Sequence, residues 1–381
     1  TPTPQVISKM PNSNQVQKID KEGLTNSVNP STHNPNANHD SGTSTSHVNL
    51  EIPNSNQVQK IGHVGLNNLG NTCYLNSTLQ SLLHTNILMK YFLNNNNLDN
   101  IGGGGIVKEF GNLAKEMSKA DENTSINPTE FFKYLKKNWT EIKTDGENDT
   151  KNDTKIDTKN NTKNDTENDT ENIQQDAVEV LDFILDKLPT QSQSKFIESL
   201  FYGKEKLLTK CKDSNMNDIK SEEDKPVLYF LRLSFPERDN DITIKDFLNE
   251  YTKDEELTDK LKDHYWNNCK GVITKSISIL EPPPILIIQL KRFEFKDNKT
   301  SKITKPVDIP LDLDISEYTT NQDKNINKKY KLYSVIHHIG ENLQNGHYTA
   351  TIRDIDTDNA NWYKYNDDKK VTEVTDAENK F

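Results

Sequence analysis

The chain has 381 residues, a net charge of −11, 31% hydrophobic residues and a mean hydropathy of −0.88, so its length allows two domains but much of it is not core. The acidic balance argues against nucleic acid or an anionic membrane surface as the main partner, and no apolar run approaches the ~18–20 residues of a membrane span. Three cysteines, an odd number, argue against a disulfide scaffold and for a reducing compartment, cytoplasm or nucleus.

Residues 1–62 are rich in Asn, Ser, Thr and Pro and read as a disordered polar leader. Within it PNSNQVQKIDKEGLTNS, from Pro11, returns as PNSNQVQKIGHVGLNNL from Pro53. The first copy has Ser31 where the second continues to Cys73, and the pattern decays after Gly23-Leu24, so one site is expected rather than two. Without its polar stretches the chain keeps roughly 270 residues, enough for one large domain.

The stretch from Gly65 to Leu83, GLNNLGNTCYLNSTLQSLL, is the most informative. After Cys73, the residues Leu75, Leu79, Leu82 and Leu83 recur at helical spacing and place one apolar stripe on an amphipathic helix. Before it, Gly65, Asn67, Asn68, Gly70 and Asn71 are turn formers, with Asn71 or Thr72 as the N-cap. Cys73 is thus expected in a first helical turn, where free N–H groups and the dipole favour a thiolate. An Asn/Gly loop in front of it can also bring donors to a developing oxyanion. A buried structural cysteine would need no such entry.

Further helices follow. Val107, Phe110, Ala114 and Met117 share a face, Gly102 to Gly105 form a joint before it, and Asn127-Pro128 opens a helix carrying Phe131, Phe132, Leu135 and Trp139. Residues 143–172 are an Asn/Asp/Thr/Lys repeat without apolar periodicity, a solvated insertion. Helical period returns over Gln174–Leu188, with Ala177, Leu181, Ile184, Leu185 and Leu188 inward. Beyond Phe201 strands are expected at 227–235, 272–280, 285–295, 330–337, 347–353 and 362–365, with a helix near 244–251. Helices first and strands second give an α+β architecture.

A nucleophilic thiol needs an imidazole, and the imidazole needs an orienting group. Of nine histidines, those at 33, 39, 47 and 63 lie in or beside the leader, and His84 and His264 stand in surface-like contexts. His337, His338 and His347 fall on strands near Gly340 and Gly346. His347 begins a strand, and Asn366, Asp367 and Asp368 end the next one, so antiparallel pairing could bring them together. Taken alone, that cluster also reads as a turn.

Four stretches resemble the boxes of one family, in the family's order. GLNNLGNTCYLNSTLQSLL resembles the cysteine box of the ubiquitin-specific proteases, papain-like cysteine hydrolases that remove ubiquitin from proteins, and VIHHIGENLQNGHYTATI with WYKYNDDKKVTEV resembles their histidine box. QQDAVEVLDFIL and PPPILIIQLKRFEF resemble two boxes between them. The resemblance implies a papain-like fold with a helical thumb, β-rich fingers and an antiparallel-sheet palm over residues 63–378. It implies Cys73 as nucleophile, Asn68 as oxyanion-hole residue, His347 as general base and Asn366 as orienter, with Asp367 as helper. Gln175, Asp176 and Glu179 would face the extended, Arg-bearing tail of ubiquitin, and Phe293, His338 and Tyr348 would line its channel. Ubiquitin and ubiquitinated proteins are then the partners of a monomeric catalytic domain that needs no cofactor.

Many members hold a structural zinc through two C-x-x-C pairs. The matching positions here are Cys211 with Ser214, and Trp266 with Cys269, so each pair lacks one ligand in the fingers-like region 201–280. Two cysteines do not make a tetrahedral site, even if His264 were to add a third ligand; no metal is expected, and packing alone is expected to hold the finger strands. Two rival readings remain at this level: a ubiquitin-binding module without catalysis, and a hydrolase of another ubiquitin-like modifier.

Overall fold

A computed structural model describes residues 61–94, 105–139, 174–212, 218–226, 230–238, 241–257, 271–296, 299–321, 323, 326–341, 345–354 and 361–374. The expected leader up to residue 60, the 143–172 insertion, and Ser214, His264, Trp266 and Cys269 lie outside them. Helices dominate the first half: α1 (Cys73–Leu83), α2 (Asn86–Asn94), α3 (Ile106–Lys119), α4 (Thr129–Asn138), α5 (Ala177–Ser192) and α6 (Lys195–Phe201), with α7 (Ile244–Thr252) later. Helix α1 is not the amphipathic surface helix its leucines suggest. Ten of its eleven residues are buried, including Asn76, Ser77, Thr78 and Gln80. It packs against α5 on one side and a sheet on the other, so its polar residues need internal partners: Gln80 Nε2 donates to Val64 O, and Thr78 Oγ1 to Tyr74 O.

Helices α2 to α6 close one core around α1, whereas Ile244, Phe247 and Leu248 of α7 belong to a second cluster with Leu231, Leu233 and Val307. Val107, Phe110, Ala114 and Met117 of α3 are all buried, as the periodicity predicts. Asn127 Oδ1 accepts from Thr129 N at the start of α4, with Pro128 at the N-cap position. Helix α5 starts later than its pattern suggests, because the Asp176 side chain takes the N-cap role and accepts from Val178 N. Gln174 and Gln175 therefore precede the helix. Phe110 is fully buried between Phe92 and Phe131, with ring centroids at 5.0 and 6.3 Å. Phe110→Ala is expected to lower the unfolding free energy by about 3–5 kcal/mol in denaturant titration.

The strands run β1 (Gly65–Leu66), β2 (Ser125–Ile126), β3 (Lys204–Lys212), β4 (Asp218–Pro226), β5 (Phe230–Leu233), β6 (Ile242–Thr243), β7 (Glu255–Glu256), β8 (Val272–Glu281), β9 (Ile287–Leu290), β10 (Phe293–Lys296), β11 (Lys299–Lys302), β12 (Val307–Asp308), β13 (Asp312–Asp314), β14 (Lys329–Lys331), β15 (Ser334–Ile339), β16 (His347–Arg353), β17 (Trp362–Tyr365) and β18 (Thr372–Val374). Two four-stranded antiparallel sheets stand out, β4-β3-β8-β7 and β15-β16-β17-β18. The strand expected at 285–295 is two, β9 and β10, broken at Lys291 and Arg292. There the Arg292 guanidinium donates to the carbonyls of Ile303 and Lys305. In β3, Cys211 is buried and disulfide-bonded, while Cys73 is a free thiol. Among the described residues, no group of three or more His, Cys, Asp and Glu is placed to hold a metal, and no helix is long and apolar enough to cross a membrane.

Candidate active site

The nucleophile candidate opens α1. Thr72 is the N-cap, one of the two positions expected, but its side chain does not cap the helix. Instead Thr72 Oγ1 accepts from Leu69 N at 2.9 Å, and Asn68 Oδ1 accepts from Gly70 N at 3.0 Å and Thr72 N at 3.1 Å. The Asn/Gly entry is a hydrogen-bonded turn built around the Asn68 amide. The Cys73 thiol pKa is raised, chiefly by burial and further by the Asp367 charge. Backbone N–H groups of Tyr348, Tyr74 and Cys73 face the sulfur and pull the other way. Burial outweighs the first-turn dipole, contrary to the thiolate expected from position alone.

Contact with Tyr348 places the sulfur beside the start of β16, where His347 immediately precedes Tyr348. Strands β16 and β17 run antiparallel with Ala350 opposite Tyr365, so the start of one and the end of the other share an edge. There His347 Nε2 lies 2.6 Å from Asn366 Oδ1. Amide oxygen only accepts, so Nε2 carries the proton and Nδ1 keeps its lone pair. Asp367 Oδ2 stands 3.9 Å from the same Nε2 and is not the ring's direct partner.

Asp367 works elsewhere. Its Oδ2 accepts from Asn68 Nδ2 at 2.9 Å, its Oδ1 from Asn76 Nδ2 at 2.8 Å, and its carbonyl from Leu66 N at 3.0 Å. A Cβ on Gly65 would stand 2.7 Å from that carbonyl, so only glycine lets β1 approach so closely. Cys73, Asn68, His347, Asn366 and Asp367 are thus brought together from positions almost 300 residues apart. Asn76 is the member that sequence reasoning misses, and Thr72 is given there only as an N-cap. The sequence offers only an Asn one helical turn after the cysteine, which does not name its partners.

Of the other candidates, Asp176, Phe293, His338 and Tyr348 border a groove of about 1130 Å³ together with Lys302, whereas Gln175 and Glu179 are not part of its lining. The His338 ring meets Phe293 and Tyr348 edge-on, at 5.4 and 4.8 Å. Asp176 is engaged as a helix cap, receives Tyr348 Oη at 3.5 Å, and has its carboxyl pKa raised by burial. Glu179 is exposed on the first turn of α5, whereas Gln175 is buried.

His84 is a correction. It is no surface residue: Nδ1 lies 2.9 Å from Gln80 O, Nε2 lies 3.0 Å from Tyr365 Oη, and burial pushes its pKa down to about 4. A histidine so lowered resists protonation when folded, whereas the unfolded chain takes up the proton near pH 6.5. Stability contributed by neutral His84 is therefore present above pH 6.5 and declines as the pH falls from there toward 4. Chemical denaturation along that range is expected to show a shallower decline for His84→Gln than for wild type.

A family model described as ubiquitin carboxyl-terminal hydrolase matches residues 64–380. The chain belongs to the ubiquitin carboxyl-terminal hydrolase family. Human ubiquitin carboxyl-terminal hydrolase 2 is 29% identical over 355 residues, covering 81% of this chain and 52% of that protein. Ubiquitin carboxyl-terminal hydrolase 12 of Saccharomyces cerevisiae is 39% identical over 142 residues, 36% of this chain and 11% of that one. The chain thus spans about half the length of the first of these relatives, and far less of the second. In fold it is similar to a solved structure of the SAGA Ubp8/Sgf11/Sus1/Sgf73 DUB module bound to ubiquitin aldehyde, with a TM-score of 0.62 at 20% identity over 84% of this chain and 68% of that one. The hydrolase fold is α+β, with helices set against antiparallel sheets.

Proposed function

We propose that this hydrolase is a thiol-dependent deubiquitinase cleaving the isopeptide bond after the C-terminal Gly of ubiquitin. The observation that carries the reading is the His347 ring, held by Asn366 at 2.6 Å with Nδ1 free, on the strand whose next residue donates to Cys73. Nδ1 takes the thiol proton, and Sγ attacks the Gly carbonyl carbon. The resulting oxyanion is held by the second N–H of Asn68 Nδ2 and by backbone N–H groups at the head of α1. His347 returns the proton to the leaving lysine amine. Water, deprotonated by the same ring, then cleaves the thioester.

The six helices of the first half serve as thumb, the β3-β4-β8 sheet as fingers and the β15–β18 sheet as palm. The groove past Tyr348, His338 and Phe293 receives the ubiquitin tail, with capping Asp176 in its wall, and exposed Glu179 meets the tail's basic side chains; Gln175 is buried and precedes the capping residue. Partners of this reading are ubiquitin and its conjugates, with the catalytic domain acting as a monomer and without a cofactor. Ubiquitin bearing a C-terminal electrophile tests it. Labelling of Cys73 by that probe, faster than by probes built on other ubiquitin-like modifiers, is expected; an unlabelled protein that still binds ubiquitin refutes catalysis, and preference for another modifier refutes the substrate.

A further inference from the structure

We infer that Asn76 is a positioning residue that locks the oxyanion amide of Asn68, acting through the Asp367 carboxylate and the Leu66–Asn67 backbone. The inference deepens the proposed reaction and rests on Asn68 serving as its oxyanion donor.

Asn76 sits one turn after Cys73 on the same buried helix and is 2% exposed. Its Nδ2 reaches three acceptors from two other segments: Asp367 Oδ1 at 2.8 Å, and the carbonyls of Leu66 and Asn67, each at 3.2 Å. Its Oδ1 is buried and has no hydrogen-bond partner. An acceptor left unpaired in a core is a cost to stability. The amide is retained there for its donors, and a flipped amide would set its oxygen against three acceptors.

Those donors complete a chain of contacts. Asn68 Oδ1 is fixed by the N–H groups of Gly70 and Thr72, and its Nδ2 by Asp367 Oδ2 at 2.9 Å. Asp367 Oδ1 is in turn fixed by Asn76. With both carboxylate oxygens engaged, the Asn68 amide keeps one defined orientation, and its second Nδ2 hydrogen is left for the substrate. Because Asn76 and Cys73 share a helix, the clamp sets the oxyanion donor relative to the sulfur. Without Asn76 the carboxylate can turn toward His347 Nε2, 3.9 Å away, and draw the Asn68 amide with it.

The test compares two reactions of Cys73 in Asn76→Ala and Asn76→Ser. Hydrolysis of a fluorogenic amide at the ubiquitin C-terminus develops an oxyanion; alkylation by iodoacetamide forms an S–C bond as iodide leaves and develops none. Expected is a fall in kcat of about 10²-fold with KM changed less than about threefold and alkylation less than about twofold. In an Asp367→Ala background the Asn76→Ala loss is expected to shrink to a small fraction, because both act on one amide. In the free protein, the side-chain amide resonances of Asn68 are expected to move in both variants. Equal losses in the two reactions, additive losses in the double variant, or an unmoved Asn68 amide overturn the inference. A wild-type protein inactive on ubiquitin would sink the proposed function instead, while the resonance measurement still decides the clamp.

Discussion

Asp367→Ala is expected to lower kcat for ubiquitin cleavage by about 10²–10³-fold, whereas Asn366→Ala costs only about tenfold. The order follows from what each side chain holds. Asn366 makes one bond to the ring, and when it is removed the Asp367 carboxylate, held by Asn76 with its Oδ2 3.9 Å from Nε2, still favours the protonated ring without moving. Asp367 is the joint acceptor for Asn68 and Asn76, one oxygen for each, a role that Asn366 does not share. Its backbone adopts φ of 52°, a left-handed conformation that Asp tolerates better than most residues, so Asp367→Asn keeps the turn while removing charge. That variant is expected to fall between wild type and Asp367→Ala. Steady-state kinetics on a fluorogenic ubiquitin substrate measures all three, and a larger loss for Asn366→Ala than for Asp367→Ala would overturn the assignment.

His347→Ala is expected to reduce kcat by about 10⁴-fold or more and to change how Cys73 reacts with pH. Burial and the Asp367 charge raise the thiol pKa, so at neutral pH an isolated Cys73 is almost wholly protonated. Wild-type reactivity at pH 7 then depends on proton transfer to the imidazole. In the variant, alkylation of Cys73 should be slow at pH 7 and still climbing at the alkaline end of the measurable range. Wild type should react well at neutral pH. If the two profiles coincide, His347 is not the base.

Much of this site is legible in the sequence because short-range pattern encodes it. The spacing of Leu75, Leu79, Leu82 and Leu83 marks α1, and the polar residues after Tyr365 mark the end of β17. What pattern does not encode is the partner of a polar group across the fold. The Asp176 carboxylate, besides capping α5, receives Tyr348 Oη from a strand 172 residues away. His84 reads as exposed, yet Tyr365 and the Gln80 carbonyl enclose it. Asn76 is invisible because its three acceptors belong to residues 66, 67 and 367. The run from Ile285 to Phe295 conceals its break because apolar continuity reports burial, not strand pairing.

The Asn68–Asp367 bond joins residues separated by 299 positions. During synthesis the sulfur emerges early and the residues that complete its surroundings emerge among the last of the domain. No shorter nascent chain can form that bond, and the long loop that must close makes its assembly slow relative to local helix formation. A ribosome-bound chain that stops short of the final sheet therefore carries Cys73 without the Asn68–Asp367 contact beside it.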